Sequence, residues 1–149
     1  MKRVRRILYA TDFSRASGRA FDTAIGMAKS LGARLTIVNA IAPLVIVPPQ
    51  FLDPVTMDRL YAEVHKWSTQ QLGRAAARAK HAGVKTAIVL RDGDAAEEII
   101  RTCRATKSDL IVVGTHGRHG LPKFFLGSVA ERVVSRAPCP VVTVRGQSS

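Results

Sequence analysis

Cysteine is scarce in this chain, with two in 149 residues. That excludes a disulfide-built scaffold. Cys103 and Cys139 lack the Cys-x-x-Cys spacing of redox or zinc motifs, so a reduced, cytoplasmic chain is expected. Aromatic residues make up only 5%, few for a surface that stacks nucleobases. Acidic residues are also few, 11 against 23 Lys and Arg, for a net charge of +12. The basic excess is heaviest in residues 1–34, and no basic block is long enough to form a nucleic-acid tail. Long apolar runs are missing. Ile41 to Val47 contains Pro43 and ends at Pro48-Pro49, well short of the ~20 residues a membrane helix needs. The basic start, Met1 to Arg6, leads into an apolar stretch that Thr11-Asp12 cuts too early for a secretory signal.

What remains is an ordinary globular composition, 46% apolar and 23% charged. The length suits one domain over residues 1–149, since domains commonly run ~100–150 residues.

Strand and helix patterns alternate along the chain. Val4 to Ala10 reads as a strand. Ser14 can cap a helix whose apolar stripe is Ala20, Phe21, Ala24, Ile25, Ala28 and Leu31, ended by Gly32. Arg34 to Ala40 reads as a second strand. Residues 41–54 carry four prolines and predict a long loop. A long helix is expected from about Val55 to Ala82, with Trp67 on its buried stripe. Lys85 to Leu90 is a third strand. Asp94, with Glu97 three residues on, starts a helix that buries Cys103. Asp109 to Gly114 fits a central parallel strand. A short helix over about Gly127 to Arg136 and a last strand from Val141 to Arg145 complete a β-α-β-α-β-α-β-α-β order. That order predicts an α/β fold with a parallel sheet between helix layers. In such sheets ligands sit beyond the carboxyl ends of the strands. Ala10-Thr11-Asp12 and Gly114-Thr115-His116-Gly117 both lie at such ends.

The chemistry concentrates between Gly114 and Val129. Gly114 and Gly117 allow close approach of backbone amides to a ligand. Gly127-Ser128 opens a helix, whose unpaired N–H groups and dipole attract anions. Ser128 adds a hydroxyl donor. Arg118 and Lys123 can neutralise phosphate charge. His116 and His119 lack a third partner for a metal and read as loop donors. Asp12 can accept from a ligand or ligate Mg2+. Three glycines at this spacing, then Ser or Thr, between a strand and a helix, arise by chance in about 1% of such chains or fewer. There is no Gly-x-x-x-x-Gly-Lys-Ser/Thr, no Gly-x-Gly-x-x-Gly after the first strand and no Gly-x-Ser-x-Gly. A P-loop, a dinucleotide site and a hydrolase elbow are therefore not expected.

Gly114, Gly117, Gly127 and Ser128 have the Gly-x2-Gly-x9-Gly-Ser spacing of the nucleotide-binding universal stress proteins, and the chain resembles that family from end to end. Ile7 to Ser14, Leu31 to Leu35, Gly127 to Val133 and Cys139 to Val144 carry the likeness. The resemblance implies a five-stranded parallel sheet of order 3-2-1-4-5, Rossmann-like in outline. It implies adenosine contacts from Asp12 and the backbone at Ala40. Ribose and phosphate contacts would come from Gly114, Thr115, His116 and Gly117, and phosphate contacts from Gly127, Ser128 and Val129. It also implies a homodimer paired through Val141, Val142, Thr143, Val144 and Arg145. Three positions depart from the family pattern: Ala10 for a common proline, Asn39 for a common histidine, and Ala130 for a common Ser or Thr.

The expected function is binding of ATP, with Mg2+, by a nucleotide-responsive stress module. Phosphoryl transfer needs a positioned base or water-orienting group, and no motif supplies one, so hydrolysis is expected to be slow or absent. Two other readings compete. One is a nucleic-acid binder using Lys2, Arg3, Arg5, Arg6, Arg74 and Arg78. The other is a nucleotide-dependent enzyme, whose His-x-Gly-His or Ser-Gly-Gly-x-Asp-Ser signatures the chain lacks.

Overall fold

The computed structural model describes residues 2–43, 49–51, 53–115 and 126–146. Strands β1 (Arg6–Ala10), β2 (Arg34–Ile41), β3 (Thr86–Asp92), β4 (Leu110–Gly114) and β5 (Val141–Val144) alternate with helices α1 (Ser17–Leu31), α2 (Pro54–His81), α3 (Ala95–Thr106) and α4 (Ser128–Arg136). The five strands form one sheet of order β3-β2-β1-β4-β5. Every pairing is parallel, with helices on both faces.

The strand pleat sorts the core. Ile7 and Tyr9 of β1 face α1 and α2, packing with Phe21, Ala24 and Leu72. Leu8 and Ala10 face the opposite way, onto Ile99, Cys103, Ala130 and Val133 of α3 and α4. Burial on both faces explains why Ile7 to Ala10 of β1 and the residues of β4 form continuous apolar runs rather than alternating.

Several ends follow the local chemistry expected. Gly32 closes α1 at φ 62°, and its N–H reaches Ala28 and Lys29 carbonyls. Asp94 caps α3, accepting from the Glu97 N–H at 3.1 Å. Others differ. Ser14 does not cap α1, which starts at Ser17. Instead the Ser14 carbonyl and hydroxyl accept from the Ser17 N–H at 3.1 and 3.3 Å, so a turn precedes the helix. Asp109 lies outside β4. Its carboxylate accepts the Arg5 and Arg6 N–H groups at 2.9 and 3.0 Å and ties the start of β4 to β1.

The expected loop over 41–54 is shorter at both ends, because Ile41 completes β2 and Pro54 begins α2. Asp53 caps α2 through the Thr56 N–H at 2.8 Å, and Pro54 suits a first helical turn. Pro49–Phe51 forms a short 3-10 turn, while residues 44–48 and 52 lie outside the described residues. Trp67 is 44% exposed rather than buried. The reason is length. A 28-residue helix spans about 42 Å at ~1.5 Å per residue, and a strand of seven residues covers only about 23 Å. The half of α2 carrying Leu72, Ala76 and Ala79 lies on the sheet, while Val55, Leu60 and Trp67 overhang it.

Candidate functional site

Because β1 pairs with β4, with Tyr9 opposite Val112, the two strands run out at the same end of the sheet. Ala10 ends β1 and is buried. Thr11 follows, its N–H donating to the Val38 carbonyl at 3.0 Å. The Thr11 hydroxyl lies 3.1 Å from the Ser17 hydroxyl and accepts the Phe13 N–H at 2.9 Å. The Asp12 carboxylate accepts the Ser14 N–H at 2.9 Å, an Asx turn that fixes its side chain. Phe13 adopts φ 62°, uncommon for an aromatic residue. Tyr9 anchors the same turn from below, donating to the Ser17 carbonyl at 2.9 Å, and burial raises its pKa above the ordinary value.

Asn39 is the residue whose role sequence reasoning missed. It is 7% exposed, and its side-chain N–H donates to the Thr11 carbonyl at 2.9 Å. The strand carrying Ala40 is thereby fastened to the turn carrying Asp12. A buried Asn in an apolar strand run was the available signal, since such a group must find a partner.

On the neighbouring strand, Gly114 ends β4 opposite Val144, and the Thr115 N–H donates to the Val144 carbonyl at 2.9 Å. The chain returns at Gly127, whose N–H donates to the Thr115 carbonyl at 2.6 Å. The segment that leaves β4 and the helix that receives it are thus joined at the base. Gly127 caps α4 with an extended ψ of 153°. Ser128 and Val129 form the exposed first turn, and Ala130 is buried beneath them. Arg132 holds α4 in place by donating to the Asp94 carboxylate at 2.9 Å. The same contact leads the lowering of the Asp94 pKa. The first-turn amides of α4, its dipole and the Ser128 hydroxyl make an environment suited to an anion.

The structure therefore gathers Ala10, Thr11, Asp12, Ala40, Gly114, Thr115, Gly127, Ser128 and Val129 at one end of the sheet. His116, Gly117 and Arg118 lie outside the described residues, as do His119 and Lys123. Among the described residues no group of three His, Cys, Asp or Glu could hold a metal ion. A single carboxylate beside phosphate oxygens is nonetheless the donor set Mg2+ commonly uses with nucleotides, and Asp12 fits that part.

Two other expectations also have a place. Among the described residues Val141 to Val144 form an edge strand, paired only to β4. Arg145 lies just beyond the strand and is exposed. Arg78, a candidate for nucleic acid, is engaged within the fold. Its guanidinium lies over the Phe21 ring, 5.0 Å from the centroid, and pairs with Asp22. No described helix is long and apolar enough to cross a membrane.

A doubly covered all-parallel sheet of order β3-β2-β1-β4-β5 defines a Rossmann-like α/β protein. The sequence pattern of the Universal stress protein family matches residues 3–145, and the chain belongs to that family. Universal stress protein YxiE of Bacillus subtilis is 32% identical, with 94% of this chain and 98% of that one covered. The solved UspA of Lactobacillus plantarum is 26% identical at a TM-score of 0.76, covering 97% of this chain and 100% of its own. A universal stress protein solved in complex with cAMP is 26% identical at a TM-score of 0.70, covering 98% and 100%.

Proposed function

We propose that this chain is a nucleotide-responsive stress module that binds ATP, with Mg2+, in the crevice between β1 and β4. The observation that carries the reading is the hydrogen bond from Gly127 to Thr115 at 2.6 Å. It sets the α4 amino terminus beside the end of β4. The complex of a relative with cAMP supports an adenine nucleotide as the ligand class. In this reading the backbone at Ala40 meets the adenine and Asp12 meets the ribose or Mg2+. Gly114 to Arg118, with Gly127 to Val129, hold the phosphates. Nucleotide occupancy then biases partner contacts, and the chain works as a homodimer paired through Val141 to Arg145.

Calorimetric titration of nucleotide-stripped protein with Mg-ATP tests the proposal. Saturable binding of one nucleotide per chain is expected, with turnover below about one per second, the lower end for phosphotransferases. No heat and no thermal stabilisation at millimolar ATP would overturn it. Sedimentation of the unliganded chain tests the dimer, and a monomer at all concentrations removes that part.

One observation favours a second, nucleic-acid reading. Arg34, Lys80 and Lys85 line an open hollow of about 480 Å³, and among the described residues they form no ion pair. Purely electrostatic DNA binding there would fall steeply with salt.

A further inference from the structure

Two sulfur atoms far apart in the chain meet on the α3 and α4 side of the sheet. Cys103 Sγ lies 3.5 Å from Cys139 Sγ, and both thiols are free. Cys103 is 1% exposed and sits in the core cluster of Leu8, Ile111 and Val133. Cys139 is half-buried at the edge of that cluster, between Pro138 and Pro140. The proposed nucleotide site uses neither.

The surroundings hold the pair in register. The Ser108 N–H donates to the Cys103 carbonyl at 3.0 Å, and the Ile111 N–H donates to the Pro140 carbonyl at 3.0 Å. The flanking prolines restrict the backbone of the Cys139 segment. Contact at this distance leaves roughly 1.5 Å of closure to a disulfide of ~2.05 Å, a small displacement for two side chains.

We propose that Cys103 and Cys139 are an oxidative modification site, converted to an intramolecular disulfide by a peroxide-class oxidant. Cys139, the more exposed of the two, attacks a peroxide oxygen as the thiolate. The O–O bond breaks, the departing hydroxide leaves as water after taking a proton, and Cys139 becomes a sulfenic acid. The Cys103 sulfur then attacks the Cys139 sulfur. An S–S bond forms, the S–O bond breaks, and the hydroxide leaves as water with the Cys103 proton. Two thiols give up two electrons and two protons, and the peroxide becomes two waters.

The order of attack follows from position. Burial pushes the Cys103 thiol up to about 12. Burial also raises Cys139, but the hydrogen bond from Cys103 offsets part of that. Cys139 therefore ionises first. With both thiols above their ordinary range the reaction is slow at neutral pH, which suits sustained oxidant rather than traces.

Residues 104–138, between the two cysteines, carry β4, the glycine-bordered segment and α4. The disulfide ties the end of α3 to the lead-in of β5 and closes the whole of that region into a covalent loop.

The test treats the full chain with hydrogen peroxide, blocks remaining thiols under denaturing conditions and maps non-reduced tryptic fragments. Fragments 102–104 and 137–145 should appear joined, with both thiols lost. The thermal midpoint should rise by roughly 8–15 °C, as loop closure of this size implies, and dithiothreitol should reverse both effects. Cys139→Ser should abolish the link and the rise while melting as the reduced wild type does. If that variant unfolds, the wild-type fragment map alone decides. Three results overturn the proposal: both thiols surviving oxidant, Cys139 ending as sulfinic acid while Cys103 still alkylates, or a link formed only between chains.

Discussion

The indole of Trp67 meets the ring of Phe13 edge to face, with centroids 5.4 Å apart and planes at 89°. The overhanging half of α2 is thus in contact with the turn that presents Asp12. Such a pair contributes about 0.5–1.5 kcal/mol beyond its buried area. Phe13 also holds a positive φ of 62°, at about 1–2 kcal/mol for a residue with a Cβ. Phe13→Ala should therefore lose the ring contact and keep the strain, whereas Phe13→Gly loses the contact and relieves it. Urea unfolding should rank Phe13→Gly above Phe13→Ala by about 1 kcal/mol. Equal midpoints would mean that the turn is not strained. The chain has one tryptophan, so its emission should shift in both variants.

Asn39→Ala should destabilise the fold by about 1–3 kcal/mol, because the part-buried Thr11 carbonyl loses its donor. Nucleotide affinity should fall with it, since β2 and the Asp12 turn are no longer joined. Asn39→His keeps a ring N–H able to donate and should recover part of both losses. Denaturant midpoints and titration with Mg-ATP measure the two effects separately.

Ser128→Glu places a carboxylate in the first turn of α4. Negative charge there favours a helix by about 0.3–1 kcal/mol, so the melting temperature should hold or rise. A phosphate arriving at the same turn meets repulsion, and ATP binding should weaken at least tenfold. An unchanged affinity in a folded Ser128→Glu variant would move the phosphate site elsewhere.

Asp109 gives a pH signature. The Arg5 N–H, followed by the Arg6 N–H and nearby cations, lowers its pKa below the ordinary value. A depressed carboxylate stabilises the fold above its unfolded pKa of about 3.9 and loses that contribution as pH falls below it. Between about pH 5 and pH 2 the wild type should therefore lose more stability than Asp109→Asn. Parallel curves for the two proteins would show that the β1–β4 tie contributes nothing through charge.

The order of elements was legible because each signal was local. The stripe of α1, the Gly32 stop and the Asp94 to Glu97 spacing all act within a few residues. That Gly114 ends a strand and Gly127 opens a helix was legible for the same reason. What escaped depended on distance along the chain. Trp67 reads as a core position by period alone, and only the length of α2 against the short strands reveals the overhang. Asp109 looks like the first residue of an apolar run until Arg5 and Arg6 come beside it. Asn39 sits inside a strand pattern with nothing nearby to say that Thr11 is its acceptor. Cys103 and Cys139 meet only because α3 and the lead-in of β5 pack on one face. Each is a contact between elements, and periodicity carries no record of those.

The hydrogen bond between Gly127 and Thr115 has a meaning for how such a protein can diversify. It clamps both ends of the intervening stretch to the scaffold at one point. Closing a loop between two such fixed points costs only logarithmically more as it lengthens, about 0.6 kcal/mol per doubling. The residues between Thr115 and Gly127 can therefore change in number or kind while β4 and α4 stay where they are. Selection on that stretch and selection on foldability then act on separate parts of the same chain.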